Sequence, residues 1–395
     1  MVGEPILTNA SVVAHNWDIK SPEWYADAPR MWDDLAGVGS AVITVEGTQW
    51  TLVGAYEQAR SILQDGVSFT SSGERILLET VRGRGGASTK GGGSALPPSL
   101  LSFREDKESR GIRKSLRQGL DELPAAFEED ASLFQELETR LAVTECVDLS
   151  ETALSLSTTS MSLLLGVPAR VTAVYEAWIR DGGRRITDTV LHQRVTAALT
   201  DAQSGLMAGL LSRGWSAPDA AWALVWLSRA SVRTLARALC NTFQTFSFEP
   251  GLPQFLDAGG DVNAAVNEIL RLNPPTSALG RLAVGEQEVG GRIVPDGSLV
   301  VPVLAAAQRD RSVFPAGAVF RPENDGRPLL AFGWGRHSCL GETVARSLLA
   351  VVVAFIRDRR LAFESAGPAV RHPSFCFSSW DRLPTRITRL SRSAG

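Results

Sequence analysis

The stretch Phe332-Gly333-Trp334-Gly335-Arg336-His337-Ser338-Cys339-Leu340-Gly341 decides how this chain folds. A cysteine stands there just ahead of a helical pattern, in a segment with three glycines. Backbone N–H groups and the positive end of a helix dipole both favour a thiolate at such a place. Glycines let the backbone approach something flat and bulky. Arg336 and His337 offer charge and hydrogen bonds to acidic groups on that object. Three readings fit the sulfur: an axial ligand to iron, a nucleophile with His337 as its base, or a plain buried cysteine in a glycine-rich turn.

Downstream, a helix starts near Gly341 and puts Val344, Leu348, Val352 and Phe355 on one face. Upstream, a helix carries Ala264 to Leu272 and stops at Pro274-Pro275; Glu268 and Arg271 lie three apart on it, where they can pair. Strand-like pieces, Gly291–Pro295 and Ser298–Val303, lie between the two helices. Earlier, residues 108–245 read as mostly helical. Within them Ser216, with Asp219 three residues on, caps a long helix predicted from Asp219 to Phe243. Near the start, a helix is predicted over 22–36. Strands Ala41–Val45 and Gln49–Val53 follow, joined by Glu46-Gly47-Thr48, and then a helix over Ala55–Gln64. Residues 82–98 are rich in Gly and Ser and read as a flexible loop, and 371–390 alternate like a small hairpin. There is no internal repeat. The fold class is mainly α with small β-sheets, in a single domain over 1–395.

Composition bounds the function. With 395 residues, 44% of them hydrophobic and 21% charged, the chain has material for a sizeable core, which excludes disorder and a disulfide-stapled miniature. Lys+Arg 40 against Asp+Glu 43 gives a net charge of -3, which argues against bulk nucleic-acid binding. Only Lys20, Lys90, Lys107 and Lys114 are lysines, so the positive charges are almost all arginine: permanent, planar and suited to carboxylates. Cys146, Cys240, Cys339 and Cys376 are far apart, which fits neither a zinc site nor a disulfide framework and points to a reducing cytoplasm. The first 20 residues show no signal-peptide pattern. The longest apolar run near the end, Leu348 to Ile356, is too short to span a membrane.

Phe332, Gly333, Gly335, His337, Cys339 and Gly341 fill all six fixed places of FGxGxHxCxG. The chain thereby resembles the cytochrome P-450 superfamily at its haem-binding loop. The resemblance extends to the ExxR helix (Glu268, Arg271, then Pro274-Pro275) and to Ala307-Gln308-Arg309-Asp310 with Phe314-Pro315. It includes Gly280-Arg281, the early strand and helix over Gln49 to Phe69, and the helix bearing Arg110, Arg113, Lys114 and Arg117. Glu79-Thr-Val-Arg82 repeats ExxR by chance. The resemblance implies the cytochrome P-450 fold and a b-type haem with the Cys339 thiolate as axial ligand, which pushes electron density onto iron. It places Arg113, Arg281 and His337 at the propionates and makes Glu268 and Arg271 a structural pair. The remaining charges of the Arg110–Arg117 cluster are a solvated helix face or a docking patch for an acidic electron donor.

Three departures stand out. Ser109 occupies the place of the family's clamp histidine. Val319 stands where an arginine usually completes the Glu–Arg–Arg network, with Arg321 or Arg309 as possible substitutes. On the long central helix the family's proton-relaying acid–alcohol pair is missing: Leu227 to Thr234 contain no acid, and Ser231 or Thr234 supplies the alcohol. Arg229, Arg233 and Arg237 recur there every four residues, either as a solvent-facing edge or as a stripe with one guanidinium holding a substrate carboxylate. Trp222 and Trp226, one turn apart, read as core packing. Family position assigns pocket lining to Thr276, Ser277, Ala278 and Leu279, to part of the 83–98 loop, and to Phe377–Trp380, with Phe377 and Ser378 foremost.

The function so implied is oxidation of a small organic, biosynthetic substrate with O2 and electrons from a ferredoxin and its reductase. The broken pair opens coupling, cyclisation, dehydration or peroxide-driven chemistry beside hydroxylation. A non-catalytic relative acting as auxiliary to another enzyme is the alternative, against which the intact Cys339 loop argues. No nucleic-acid or membrane partner is expected.

Overall fold

In the computed structural model, the described residues are 13–14, 17–72, 107–123, 131–141, 146–181, 185–199, 205–323 and 327–390. The glycine-rich stretch 82–98 lies outside them. The helices are α1 (Pro22–Ala26), α2 (Ala28–Val38), α3 (Tyr56–Gln64), α4 (Lys107–Asp121), α5 (Ala131–Leu141), α6 (Leu149–Leu165) and α7 (Thr172–Asp181). They continue with α8 (Asp188–Ala198), α9 (Gly205–Ser212), α10 (Ala217–Phe248), α11 (Gly251–Asp257), α12 (Val262–Leu272), α13 (Leu304–Ala307) and α14 (Glu342–Arg359). The described residues gather into two units, one within Met1–Thr89, Leu270–Ser338 and His372–Ser378, the other within Lys90–Ile269, Cys339–Arg371 and Ser379–Gly395.

The first unit is built on a sheet. Strands β1 (Val13–Ala14), β2 (Ser40–Val45), β3 (Thr48–Val53), β4 (Phe69–Thr70), β6 (Arg281–Ala283) and β9 (Leu299–Pro302) take the order β1-β2-β3-β9-β6-β4. β2 and β3 form the expected hairpin, but its turn is shorter than predicted. Glu46 and Gly47 both have positive φ, 49° and 77°, and Thr48 already pairs with Val45. A two-residue turn of that handedness matches the right-handed strand twist. Alternation along β3 divides the core. Trp50 and Leu52 pack with Trp32 and Leu35 of α2, whereas Val53 packs with Tyr56, Ile62 and Leu63 of α3. The predicted 22–36 helix is two helices, because Pro29 offers no N–H to continue the first one. β7 (Gln287–Val289) and β8 (Arg292–Val294) form a separate hairpin.

The second unit is helical. α10 runs 32 residues, with Ser216 as N-cap, and continues past the predicted Phe243. Thr242, Thr245 and Ser247 return their hydroxyls to the carbonyls of Ala238, Asn241 and Phe243, so polar residues extend the helix while Phe243 and Phe246 reach Phe363. α6 lies along α10 and bonds it through Ser157 Oγ to the Val232 carbonyl at 2.7 Å. On α14 the predicted face is buried: Val344, Leu348, Val352 and Phe355. The expected 371–390 hairpin is only partly formed. β11 (Val370–Arg371) pairs with β12 (Trp380–Arg382), but β13 (Pro384–Arg389) lies between β10 (Leu361–Ser365) and β5 (Cys146–Asp148).

Gly54, at the end of β3, tests the close approach of α2. A Cβ there would lie 2.7 Å from both Cγ and the carbonyl oxygen of Leu35, and that backbone cannot swing away. Gly54→Ala is expected to cost about 1–3 kcal/mol of stability. Gly37→Ala on α2, where a Cβ meets nothing within 4 Å, is expected to gain a few tenths up to about 1 kcal/mol. Urea unfolding of both variants checks the pair.

Candidate functional site

The cysteine loop belongs to two environments. In the first unit Gly333 and Gly335 take left-handed φ of 68° and 73°. Glycine tolerates this region without strain. A Cβ at Gly335 would also meet Gln64 Cα at 2.9 Å and the Leu63 carbonyl at 3.0 Å, so the loop rests directly on the end of α3. Trp334 Nε1 donates to Gln64 Oε1 at 3.3 Å, and the Arg60 guanidinium lies over the Trp334 ring at 4.7 Å. His337 closes a single 3-10 turn, Gly335–His337. Arg281 is buried on β6, and its Nη1 donates to the Gly280 carbonyl at 2.8 Å.

In the second unit Cys339 stands three residues ahead of α14, whose N-cap is Gly341. The residue is exposed. Exposure governs access to the sulfur and crowding governs its charge. Burial of the sulfur among neighbouring atoms pushes the thiol pKa up, and Glu342 adds to the rise. The Gly341 N–H, Arg117 and Arg113 pull the other way. Arg117 Nη2 donates to the Cys339 carbonyl at 3.0 Å, and Thr343 Oγ1 donates to Asp121 Oδ1 at 2.9 Å, so α4 holds this segment at two points. On α4, Arg113 and Arg117 are half-buried, Arg110 and Lys114 are exposed, and Ser109 is fully buried.

The buried Arg271 donates to the carbonyls of Gln308 (2.8 Å), Gly317 (2.6 Å) and Val319 (3.0 Å) and faces the Phe314 ring. Val319 therefore meets Arg271 with its backbone oxygen as an acceptor, which is not the donor role of the arginine side chain expected at this place. Arg309 is engaged elsewhere: it donates to Asp33 Oδ1 at 3.1 Å and to the Leu272 carbonyl at 2.9 Å, and lies over Trp32. Burial lowers its pKa, and the Asp33 carboxylate opposes that shift. Sequence reasoning passed over Gln308. Its amide donates to the carbonyls of Leu270 and Arg271 and accepts from Ala331 N–H, and its place in Ala307–Asp310 was the available signal.

The two segments assigned to the pocket by position do meet. Thr276 bridges Phe377, Ser277 N–H donates to the Cys376 carbonyl at 2.9 Å, and Ser378 N–H donates to the Pro275 carbonyl at 3.2 Å. Ser277 and Ala278 are buried, and Thr276, Leu279 and Phe377 are half-buried.

Two arginines of the α10 stripe, Arg229 and Arg233, reach α7 and α8. Arg229 grips the Asp188 carboxylate with Nε and Nη2 and lies over the Trp178 ring, whose Nε1 donates to the same carboxylate at 3.1 Å. Arg233 donates to the Ile179 carbonyl at 3.1 Å. Arg229 and Arg233, both exposed, thus fasten α10 to its neighbours through the Asp188 carboxylate and the Ile179 carbonyl. Ser231 returns its hydroxyl to the Leu227 carbonyl at 2.6 Å, and Thr234 is half-buried. Trp226 is buried as expected, whereas Trp222 stacks on His192 at 4.3 Å.

With this geometry in view, the similarities to known proteins are consistent. The family model for cytochrome P450 matches residues 262–358. A putative cytochrome P450 140 of Mycobacterium tuberculosis is 40% identical over 124 residues, 31% of this chain and 28% of that protein. The aligned stretch thus spans little more than a quarter of that relative. Among solved structures, CYP109Q5 from Chondromyces apiculatus aligns with 95% of this chain and 99% of its own, with a TM-score of 0.78 and 21% identity. The P450 OxyD, involved in the biosynthesis of vancomycin-type antibiotics, aligns with 95% and 100%, at 0.76 and 20%. Both units take part in these matches, which show the fold. The fold is thus that of cytochrome P450 structures, and residues 262–358 match the cytochrome P450 family model.

The family's haem takes a cysteine thiolate, and the residues here fit that group. The cysteine residue is exposed at the head of α14, and a Cβ at Gly341 would meet nothing within 4 Å.

The fastening role of Arg229 is open to a double-mutant cycle with Arg229→Ala and Asp188→Ala. The pair is half-exposed, so a coupling of about 0.5–1 kcal/mol in urea unfolding is expected. A coupling near zero would return Arg229 to the solvent edge.

Proposed function

We propose that this chain is a haem-thiolate monooxygenase that oxidises a small organic substrate. The observation that carries the reading is the exposed Cys339 at the head of α14, with its carbonyl held by Arg117. Cys339 would ligate a non-covalent, b-type haem, and Arg113, Arg281 and His337 would serve its propionates. Such a haem supplies the oxidising chemistry: O2, two electrons and two protons convert a C–H bond into C–OH and release water. We assign the electrons to a ferredoxin and its reductase. The setting is the cytoplasm, consistent with four free cysteines; no helix among the described residues is long and apolar enough to cross a membrane.

The protein's own contribution lies in positioning. The segments around Thr276–Leu279 and Phe377–Ser378 are bonded to each other through their backbones, by an isolated bridge and flanking hydrogen bonds, and we assign substrate contact to them. On α10 the Ser231 hydroxyl is already given to Leu227, so we assign the proton-relaying alcohol to Thr234. With no acid from Leu227 to Thr234, a proton must come from water or from the substrate itself. This favours reactions beyond simple hydroxylation, such as coupling, cyclisation, dehydration or peroxide-driven oxidation. A biosynthetic role is the natural setting, as for OxyD.

The purified protein is expected to carry haem and to show the red-shifted ferrous–CO Soret band of thiolate ligation. Cys339→Ser is expected to lose that band entirely. A colourless wild-type protein would instead support the non-catalytic auxiliary. Thiol mapping gives an independent check. In the haem-loaded protein at pH 8, alkylation is expected at exposed Cys146 and not at Cys339. Removal of haem is expected to open Cys339. Buried Cys240, whose pKa is pushed up to about 12 by burial, is expected to stay unlabelled in both states.

A further inference from the structure

Arg117 makes a contact that the propionate assignments do not explain. It stands on α4 one turn beyond Arg113, and its Nη2 donates at 3.0 Å to the backbone carbonyl of Cys339 itself. One further turn along, Asp121 Oδ1 accepts from Thr343 Oγ1 at 2.9 Å, which fixes α4 against the segment on the other side of Gly341. Arg117 is half-buried, so its charge is only partly screened by solvent. The position has a consequence for any metal held by the sulfur. Adding one electron to an iron–thiolate unit makes it more negative, and a permanent cation close by stabilises the reduced state more than the oxidised one. An arginine keeps this charge at every working pH.

We propose that Arg117 is a positioning residue for the Cys339 thiolate: it pins the cysteine backbone and holds a fixed positive charge beside the sulfur that raises the one-electron reduction potential. This rests on the haem-thiolate reading above. The bond to the carbonyl and the charge near the sulfur are separable by substitution. Arg117→Gln keeps a donor and removes the charge. Arg117→Lys keeps the charge and removes the planar fork. Arg117→Ala removes both.

The test is a spectroelectrochemical or dye-equilibration titration of the haem-loaded protein, with dithionite as the electron source. Arg117→Gln is expected to retain the thiolate-type ferrous–CO band while its equilibrium constant for reduction falls on the order of tenfold, about 59 mV for a one-electron couple. Arg117→Lys is expected to stay within about twofold of wild type. Arg117→Ala is expected to show the lowered potential and, in addition, faster loss of the thiolate band on standing. Lys107→Gln, an exposed cation at the start of the same helix, controls for general charge removal and is expected to leave the potential unchanged. Gln and Lys variants that both match wild type would overturn the proposal while leaving the haem reading intact. A wild-type protein without a thiolate spectrum overturns both.

Discussion

A buried guanidinium organises the first unit. Arg271, 1% exposed, sits at the end of α12 and must find acceptors, because a buried charge stripped of its partners costs on the order of 3–5 kcal/mol. It finds them in the backbone of an irregular stretch, at Gln308, Gly317 and Val319, which no sheet ladder holds in place. Gln308 completes the arrangement. Its amide donates back to the last turn of α12 and accepts from Ala331, the residue just before Phe332. The demand of one cation for carbonyls thus determines where the cysteine loop begins.

Much of this was legible in the residues, and for identifiable reasons. The loop from Phe332 to Gly341 carries its conformation in its glycines, and the α14 face carries its burial in a four-residue period. The β2–β3 hairpin was readable from Glu46-Gly47, although the turn is tighter than its flanking residues suggested. What escaped was of two kinds. Pro29 was a visible break that the apolar pattern of 22–36 overrode. The Arg271 acceptors could not be read at all, because backbone carbonyls carry no side-chain signature. For the same reason the acceptor that Val319 offers to Arg271 through its backbone could not be read from its side chain.

The arginines of α10 show how little a charge pattern says without its neighbours. A repeat of four residues put Arg229, Arg233 and Arg237 on one stripe and left its destination open. The deciding residues are on other helices: Asp188 in the first turn of α8, and Trp178 and the Ile179 carbonyl near the end of α7. Asp188 is already the favourable charge at a helix N-terminus, and a guanidinium near the last carbonyls of α7 is favourable for the complementary reason. Arg229 and Arg233 therefore fasten the two helices at ends where each dipole welcomes the charge it receives. A missing acid on the same helix is consistent with this use, since a carboxylate beside the stripe would compete with Asp188.

The helix α4 poses the opposite problem, and its solution bears on the site. Arg110, Arg113, Lys114 and Arg117 crowd one helix with like charges at three- and four-residue spacing, an arrangement that costs a few tenths of a kcal/mol for each pair when nothing offsets it. Exposure sorts the four: Arg110 and Lys114 face water, where screening makes their repulsion cheap, while Arg113 and Arg117 are half-buried. Half-buried cations one turn apart need a negative partner. The chain supplies a carbonyl dipole at Cys339 for Arg117, with the sulfur of the same residue nearby as the group able to bear a full negative charge. The thiol's own tendency, under the crowding around it, is to stay protonated. A cation pair on α4 and an N–H from Gly341 are the counterweights, and a positively charged metal centre would complete what they begin. On this argument the basic face of α4 belongs to the sulfur first, and any role in meeting a partner protein falls to Arg110 and Lys114.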